Sequence, residues 1–438
     1  MKNSKLVALL MIVLVAGSWC SVTGVLDTSS GENVEELVAQ ANAYIEQGIY
    51  FDANELYQRA VNAEPDNYEL WLEYGETSLQ IKKARDAIDA WTKACELKPD
   101  RTEAYEKLVA YYLSRNDFEE AQNVLDKNKE LKYSKLLKKQ SNTIRQQYKG
   151  TSVIFTEAGN WNDGYAAVLG ENGMCLTGGC DGVLLQDGYA EMSGYDAESG
   201  FISVKTEEEG WQCIDLNSYK RRVPGITCSW MGTVGDGMIP VCNVDGKYAY
   251  LDTDMKAVTK FVYDDVTSFK NGIAAVCKKG KWALVNTSFK ELTDYIYDQV
   301  AKDSNGICSR QGVVLASRKG QYVLLDKKGR EVAKKLGKEA KPFYDHGWAA
   351  VFQNGSWKYI DTKGKVQLET KCRLADSFSN GLAAVSDEAQ GTDWYYIDET
   401  GARWMDASFA WAGSMNENGE MLVKEKDVFT VIGLYQRP

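Results

Sequence analysis

The sequence predicts a multidomain chain, a helical repeat array (α-solenoid) followed by an all-β repeat domain. Three observations carry this. Residues 34–100 repeat at a fixed offset of 34 with apolar residues at helical spacing, and from about residue 151 short β-prone runs punctuated by glycine replace that spacing. The chain has 438 residues, about three times the roughly 150 of a typical domain. Apolar residues make up 44% and charged ones 26%, the balance of globular protein.

Charge and composition exclude several classes of function. Lysine plus arginine is 51 against 62 for aspartate plus glutamate, a net charge of −11, so binding nucleic acid by phosphate neutralisation has no electrostatic basis. The single histidine, His346, excludes multi-histidine metal sites. No phosphate-binding loop, HExxH or GxSxG occurs, and GTVGDG at 232–237 has its glycines misplaced for a dinucleotide fingerprint. No CxxC pair is present. We expect no cofactor, no metal and no catalysis. Acidic pairs such as Asp264–Asp265 in FVYDDV could be imagined as a glycosidase dyad, and this one reads as a turn.

At the amino end, Lys2 and Lys5 precede the apolar stretch Leu6 to Gly17. A charged start and a hydrophobic segment of this length mark residues 1–26 as a signal peptide or signal anchor, with the body of the chain exported. Extended to Leu26, the stretch is long enough to cross a bilayer as one helix; Ala16 and Ser18 offer a cleavage site instead. Lipidation at Cys20 is the third alternative, disfavoured by Trp19 before it. Residues 27–33 read as a short tether. In an exported chain Cys175 and Cys180 are close enough to pair, the alternative being buried thiols; Cys242, Cys277 and Cys308 end short apolar runs and read as buried.

Residues 34–149 form the helical part. Ala53 and Ala87, Tyr57 and Trp91, Ala60 and Ala94, Pro65 and Pro99 are each 34 apart, and each unit reads as two helices. With WLEYGE at 71–76, Ala87, Trp91, Ala94 and Pro99, the pattern resembles the tetratricopeptide repeat. Small alanines let paired helices approach, and Tyr57 and Trp91 are expected to fill the space between successive units. A third unit holds Tyr105, Tyr112, Ala121 and Leu125; Tyr133 replaces its proline, so its second helix is expected to run on. Residues 126–149 carry eight basic residues against two acids, as a solvated capping helix would.

The resemblance implies a peptide groove on the first helices of the units, where Glu35, Asn42, Glu69, Glu76, Glu103 and Glu106 are expected to point. Such a groove is acidic and would repel a free carboxyl terminus, so its expected partner is a basic or neutral protein segment. The alternative is a set of solvating surface charges without a ligand.

Residues 151–438 form the β part. Its clearest unit is FKNGIAAVCKKGKWALVN at 269–286, echoed at 346–364 and 378–401 and more weakly in five other places. Eight leading glycines fall at 164, 200, 237, 272, 306, 347, 381 and 419. Within a unit, Asn-Gly or Asp-Gly opens a tight turn, an alternating strand such as IAAV follows, a second glycine turns into a strand with Trp or Tyr, and an Asp ends it. His346 fills a slot otherwise held mostly by Asn or Asp, which makes it a turn residue. Trp211, Tyr248, Trp282, Tyr322, Trp357 and Trp394 recur at one place and read as wedges between neighbouring units; exposed, they would be a glycan-stacking row. Asp215, Asp252, Asp326, Asp361 and Asp398, with Asn286, are expected to bond turn amides.

KKGKWALVN, NGSWKYID and the NGxAAV strands resemble the WG-repeat family of bacterial surface and secreted proteins, although Trp-Ala and Trp-Lys replace its Trp-Gly. The resemblance implies a closed β-propeller of seven or eight four-stranded blades, with an open solenoid as competitor. The sequence as a whole reads as an exported, membrane-tethered protein-interaction scaffold, the alternative being a cell-surface carbohydrate-binding protein.

Overall fold

A computed structural model of the chain describes residues 33–438. The expected signal segment, the tether up to Glu32 and Cys20 lie outside the described residues. Among those described, no helix is long and apolar enough to cross a membrane. The chain divides into two compact units, one holding the residues to Ser114 with Val124–Leu137, the other Arg115–Asn123 with Lys138–Pro438.

Seven α-helices occur among the described residues: α1 Val34–Glu46, α2 Tyr50–Ala63, α3 Tyr68–Gln80, α4 Ala84–Leu97, α5 Glu103–Ser114, α6 Phe118–Asp126 and α7 Lys135–Arg145. Asn33 and Asn67 cap α1 and α3 by accepting from the amides of Glu35 and Glu69, which satisfies helix-start donors that would otherwise lack partners. Leu37, Ala41, Ala53, Tyr57, Ala60, Leu70, Tyr74 and Ala90 form one core across the first four helices. Buried Asn54 on α2 donates to Thr77 and Ser78 on α3 at 3.1 and 2.7 Å, joining successive hairpins by polar contacts.

Two expectations about the helices are corrected. Trp91 packs inside its own hairpin rather than between units: its indole donates to the carbonyl of Leu72 on α3. A Cβ built on Gly75 would stand under 3.0 Å from three atoms of the Trp91 ring, so glycine is what admits the indole there. The second helix of the third hairpin does not run on. It ends at Asp126, and α7 starts at Lys135 after a break in which Ser134 accepts from the Leu137 amide. The β unit then begins at Tyr148, slightly before the expected 151.

The β unit is an eight-bladed propeller. Its eight sheets follow one another along the chain as blades 1 (157–189), 2 (191–222), 3 (228–263), 4 (265–297), 5 (299–333), 6 (339–370), 7 (374–409) and 8 (411–434). In blades 3, 4 and 7 the outermost strand is reduced to paired bridges, such as Trp282 with Tyr297. Blade 8 takes its fourth strand from the start of the unit, Tyr148–Phe155 pairing antiparallel with Val428–Leu434. That pairing closes the ring, and every neighbouring pair of blades shares a buried cluster, including blades 8 and 1 through Phe155, Val168, Leu422 and Val431.

The blade hairpins turn as their sequences require. Asp163-Gly164, Asp236-Gly237, Asn271-Gly272 and Asn380-Gly381 have φ > 0 at both residues and join strands whose flanking residues pair directly, the geometry of two-residue hairpins. His346 shares the positive φ, at 55°. One expectation about the strands fails: Ile273–Lys278 and Val313–Arg318 do not alternate but are buried at five consecutive positions. Each blade is covered on both faces by its neighbours, so both side-chain rows are core.

Candidate functional site

The groove residues are distributed along the first helices of the hairpins. Glu69 and Glu103 are bridged by Arg101, whose guanidinium lies 2.5 and 2.9 Å from them and stacks 4.2 Å from the Tyr68 ring. Glu76 pairs with Lys107 at 2.5 Å, and Glu106 accepts from Ser134. The side-chain carbonyl of Asn42 accepts from the Tyr57 hydroxyl at 2.8 Å. Glu35 is exposed in the first turn of α1. Two cations, Arg101 and Lys107, thus stand among these acids.

Glu73 belongs with them, four residues after Glu69 and three before Glu76, one face of α3. Its side chain opens to solvent, yet protein packed around it withdraws water from the carboxyl. That desolvation, with the Glu76 and Glu69 charges, pushes its carboxyl above the ordinary range despite Lys107 nearby. Burial and the same carboxylate push the Tyr57 phenol up to about 12. The stripe spacing marks Glu73 in the sequence; the neutralising reach of Arg101 and Lys107 across hairpins has no sequence signal.

In the propeller, the repeated aromatics are wedges. Trp211, Trp282, Tyr322 and Trp357 are buried between neighbouring blades, and Tyr248 and Trp394 pack partly buried in the same manner. With four of the six rings buried, they do not present the continuous exposed row that glycan stacking was expected to need. The aspartates at the strand ends hold turns: Asp252, Asp326, Asp361 and Asp398, like Asn286, each accept from two backbone amides two and four residues on, at 2.8 to 3.1 Å. Asp215 accepts from Asn217 and Ser218. The Asp264 carboxylate is taken up by Lys247 and the Lys279 amide, and Asp265 by Lys302; the pair is not the turn expected, because Asp265 opens the short strand Asp265–Val266 that pairs with Val276 and Cys277, and the two carboxylates clasp neighbouring segments. None of the nine cysteines among the described residues forms a disulfide, Cys175 and Cys180 included, and Cys242, Cys277 and Cys308 are buried.

Blade 1 reaches across the ring axis to blades 5 and 6. The Asn160 amide donates to Ser304 and its side chain to the Tyr344 hydroxyl, both at 2.8 Å, while Asn305 donates to the Asn160 carbonyl at 3.1 Å. Beside this bridge Arg310 is almost wholly buried, held by Asp303 at 2.7 Å and Asp345 at 2.8 Å. Asp303 also accepts from the Asn305 and Ile307 amides. Tyr344 in turn donates to Asp376, whose carboxyl burial pushes upward. A cavity of about 560 Å³ is lined by Glu157, Glu191, Trp230, Tyr248, Asp265 and Lys302; another, of about 210 Å³, lies beside Arg310 and Trp161. No repeat signal marks Trp161, Arg310 or Asp345.

Residues 248–282, 324–357 and 359–388 match the family model described as WG containing repeat. Among solved structures, the chain is similar to BamB from Moraxella catarrhalis at 13% identity and a TM-score of 0.45, covering 66% of this chain and all of that one. It is similar to the MamA protein at 26% identity and a TM-score of 0.22, covering 26% of this chain and 57% of that one. The first TPR of Spaghetti (RPAP3), solved bound to an HSP90 peptide, matches at 24% identity and a TM-score of 0.22, over 26% of this chain and 94% of its own. No curated protein sequence matches the chain.

Proposed function

We propose that the chain is a non-enzymatic protein-interaction scaffold, exported and tethered to the membrane by its amino-terminal segment, whose helical unit works as a tetratricopeptide-type groove for a basic protein segment. The observation that carries the reading is the surplus of carboxylates over cations along the first helices of the second and third hairpins. Glu69, Glu73, Glu76, Glu103 and Glu106 face two cations, Arg101 and Lys107, and Glu73 is an acid whose charge desolvation and like-charged neighbours disfavour. A lysine or arginine brought by a partner relieves that cost. A propeller carried on the same chain raises the effective concentration of a second contact.

The test titrates the chain into a fluorescent lysine-rich peptide and into its glutamate-substituted counterpart. Preference for the basic peptide, lost in Glu73→Gln with Glu76→Gln and weakened by salt, is the expected result; equal binding of both peptides removes the groove from the account. Export is tested by fusing alkaline phosphatase after Pro438, and an inactive fusion overturns it.

A further inference from the structure

The chain holds six Asn-Gly doublets, opening at residues 172, 271, 305, 354, 380 and 418. Asparagine before glycine is prone to self-modification, because glycine has no side chain to hinder the approach of its amide nitrogen to the asparagine carboxamide. The sequence treats the six alike, and the fold does not. Hydrogen bonds can hold either reacting group. Asn271 donates to the carbonyls of Ser309 and Arg310 at 3.1 and 2.6 Å, Asn305 to those of Asn160 and Trp161 at 3.1 and 3.4 Å, and Asn380 to that of Met415 at 3.0 Å. On the glycine side, the Gly272 amide donates to Asp236 at 2.7 Å, and those of Gly306 and Gly419 donate to the carbonyls of Asp303 and Asn416 at 3.0 and 3.1 Å. Gly173 stands in its strand ladder opposite Gly170. Each of these five doublets is tied in at least one way.

Asn354-Gly355 is tied in neither. It is the exposed tip of the blade 6 hairpin, between the strands Ala349–Gln353 and Ser356–Ile360. Its φ values of 56° and 85° are those of an Asn-Gly two-residue turn. Among the described residues, neither the Asn354 carboxamide nor the Gly355 amide has a hydrogen-bond partner, and a Cβ built on Gly355 meets nothing within 4 Å. The turn must open before the nitrogen can reach the carboxamide carbon. An exposed hairpin tip opens at little cost, whereas each tied doublet must also give up a hydrogen bond.

We infer that Asn354 is a modification site, converted to aspartate and isoaspartate by the chain's own backbone and water. The Gly355 nitrogen loses its proton and attacks the Asn354 carboxamide carbon. A new C–N bond forms as the bond to the side-chain nitrogen breaks, and that nitrogen leaves with the proton as ammonia. Water then opens the resulting succinimide at one or the other ring carbonyl, with no change of oxidation state. The product places a new negative charge beside the basic run Lys334, Lys335 and Lys338, which is joined to the hairpin where the Gln353 side chain donates to the Lys335 carbonyl at 2.6 Å and the Lys338 amide to that of Phe352. Isoaspartate also adds a carbon to the turn backbone, against the direct pairing of Gln353 with Ser356. The site goes beyond the groove reading and stands whether or not the groove binds a peptide.

The experiment incubates the full chain in mildly alkaline buffer beside a sample unfolded in guanidinium chloride, until the unfolded sample has reacted. Both are digested, and mass spectrometry measures the gain of aspartate over asparagine at each doublet. In the folded chain Asn354 is expected to convert at least about tenfold faster than any other doublet, the factor set by about one hydrogen bond's worth of free energy. In the unfolded chain the six rates are expected to draw together. Acid is expected to slow the reaction, because the attacking nitrogen must lose its proton. In native electrophoresis the aged chain is expected to show a band of added negative charge that Asn354→Gln removes. Another doublet leading in the folded chain, comparable rates at all six there, no conversion at Asn354 by the time the unfolded sample has reacted, or a band that persists in Asn354→Gln overturns the proposal.

Discussion

Arg101 in the helical unit and Arg310 in the propeller each bridge two carboxylates, yet they do so in opposite surroundings. Arg101 is about one-third exposed and joins Glu69 on one hairpin to Glu103 on the next. Arg310 is 1% exposed, with Asp303 wholly buried beside it. An exposed pair gains little over its hydrated parts, whereas a buried one is expensive to break because it leaves an uncompensated charge in the interior. The difference follows from architecture. A stack of hairpins meets solvent along its whole inner face, so its charges remain wet, while a closed ring turns eight strand edges inward and must satisfy every polar group there among its own residues.

That contrast predicts a graded series of effects. Arg310→Ala strands the Asp303 carboxylate and is expected to cost about 3 to 5 kcal/mol of propeller stability, read as a lowered urea midpoint of the β unit. A cost under about 1 kcal/mol would make the two arginines equivalent and dissolve the comparison.

Gly75→Ala tests packing rather than charge. A methyl under 3.0 Å from the Trp91 ring forces the indole to move, and about 1 to 3 kcal/mol of helical-unit stability is expected to be lost, seen in far-ultraviolet circular dichroism. Trp91→Phe in the same background should recover part of it; the absence of recovery would place the strain elsewhere.

Two acids, Glu103 in the helical unit and Asp376 in the propeller, titrate with opposite signs. Arg101 holds Glu103 below its ordinary value, so the stability it adds is full above the unfolded pKa of about 4.3 and is lost as pH falls through the lowered folded value. Burial raises Asp376, so its contribution is full below about 3.9 and is lost as pH rises through the raised folded value. Asp376→Asn is therefore expected to stabilise the chain near pH 8 and to converge with the parent near pH 4. Convergence at high pH instead would show the wild-type carboxylate to be charged at no cost.

The smallest effect belongs to Arg101→Ala, within about 1 kcal/mol and reduced further in 0.5 M salt. A loss of several kcal/mol, insensitive to salt, would mean that packing on Tyr68 rather than the ion pairs holds the guanidinium in place.

Much of the propeller was legible in the chain. Eight glycine-led units at separations of 34 to 41 residues mark the repeats, although seven or eight blades and ring or solenoid are decided only by the closing of the eight sheets, and the turn aspartates, wedge aromatics and positive φ of His346 follow from local chemistry that each unit repeats. The helical array was legible by the same logic, down to the paired helices. The errors came where local pattern meets a neighbour. Runs such as IAAVC are buried on both faces because adjoining blades cover them, Trp91 turns into its own hairpin because Gly75 leaves room, and the third hairpin ends at Asp126.

What the sequence determined by itself was periodicity: repeat length, secondary structure, turn type and the slots for wedges and capping carboxylates, all set by contacts within about one repeat. What only the tertiary structure decided was which copies meet. The strand Tyr148–Phe155 completes the last blade nearly 280 residues away, Arg101 neutralises Glu69 across a hairpin boundary, and Trp161, Arg310 and Asp345 converge on the axis from three blades. Those juxtapositions depend on ring closure and stacking, which couple residues far apart in sequence, and no single repeat carries their signal.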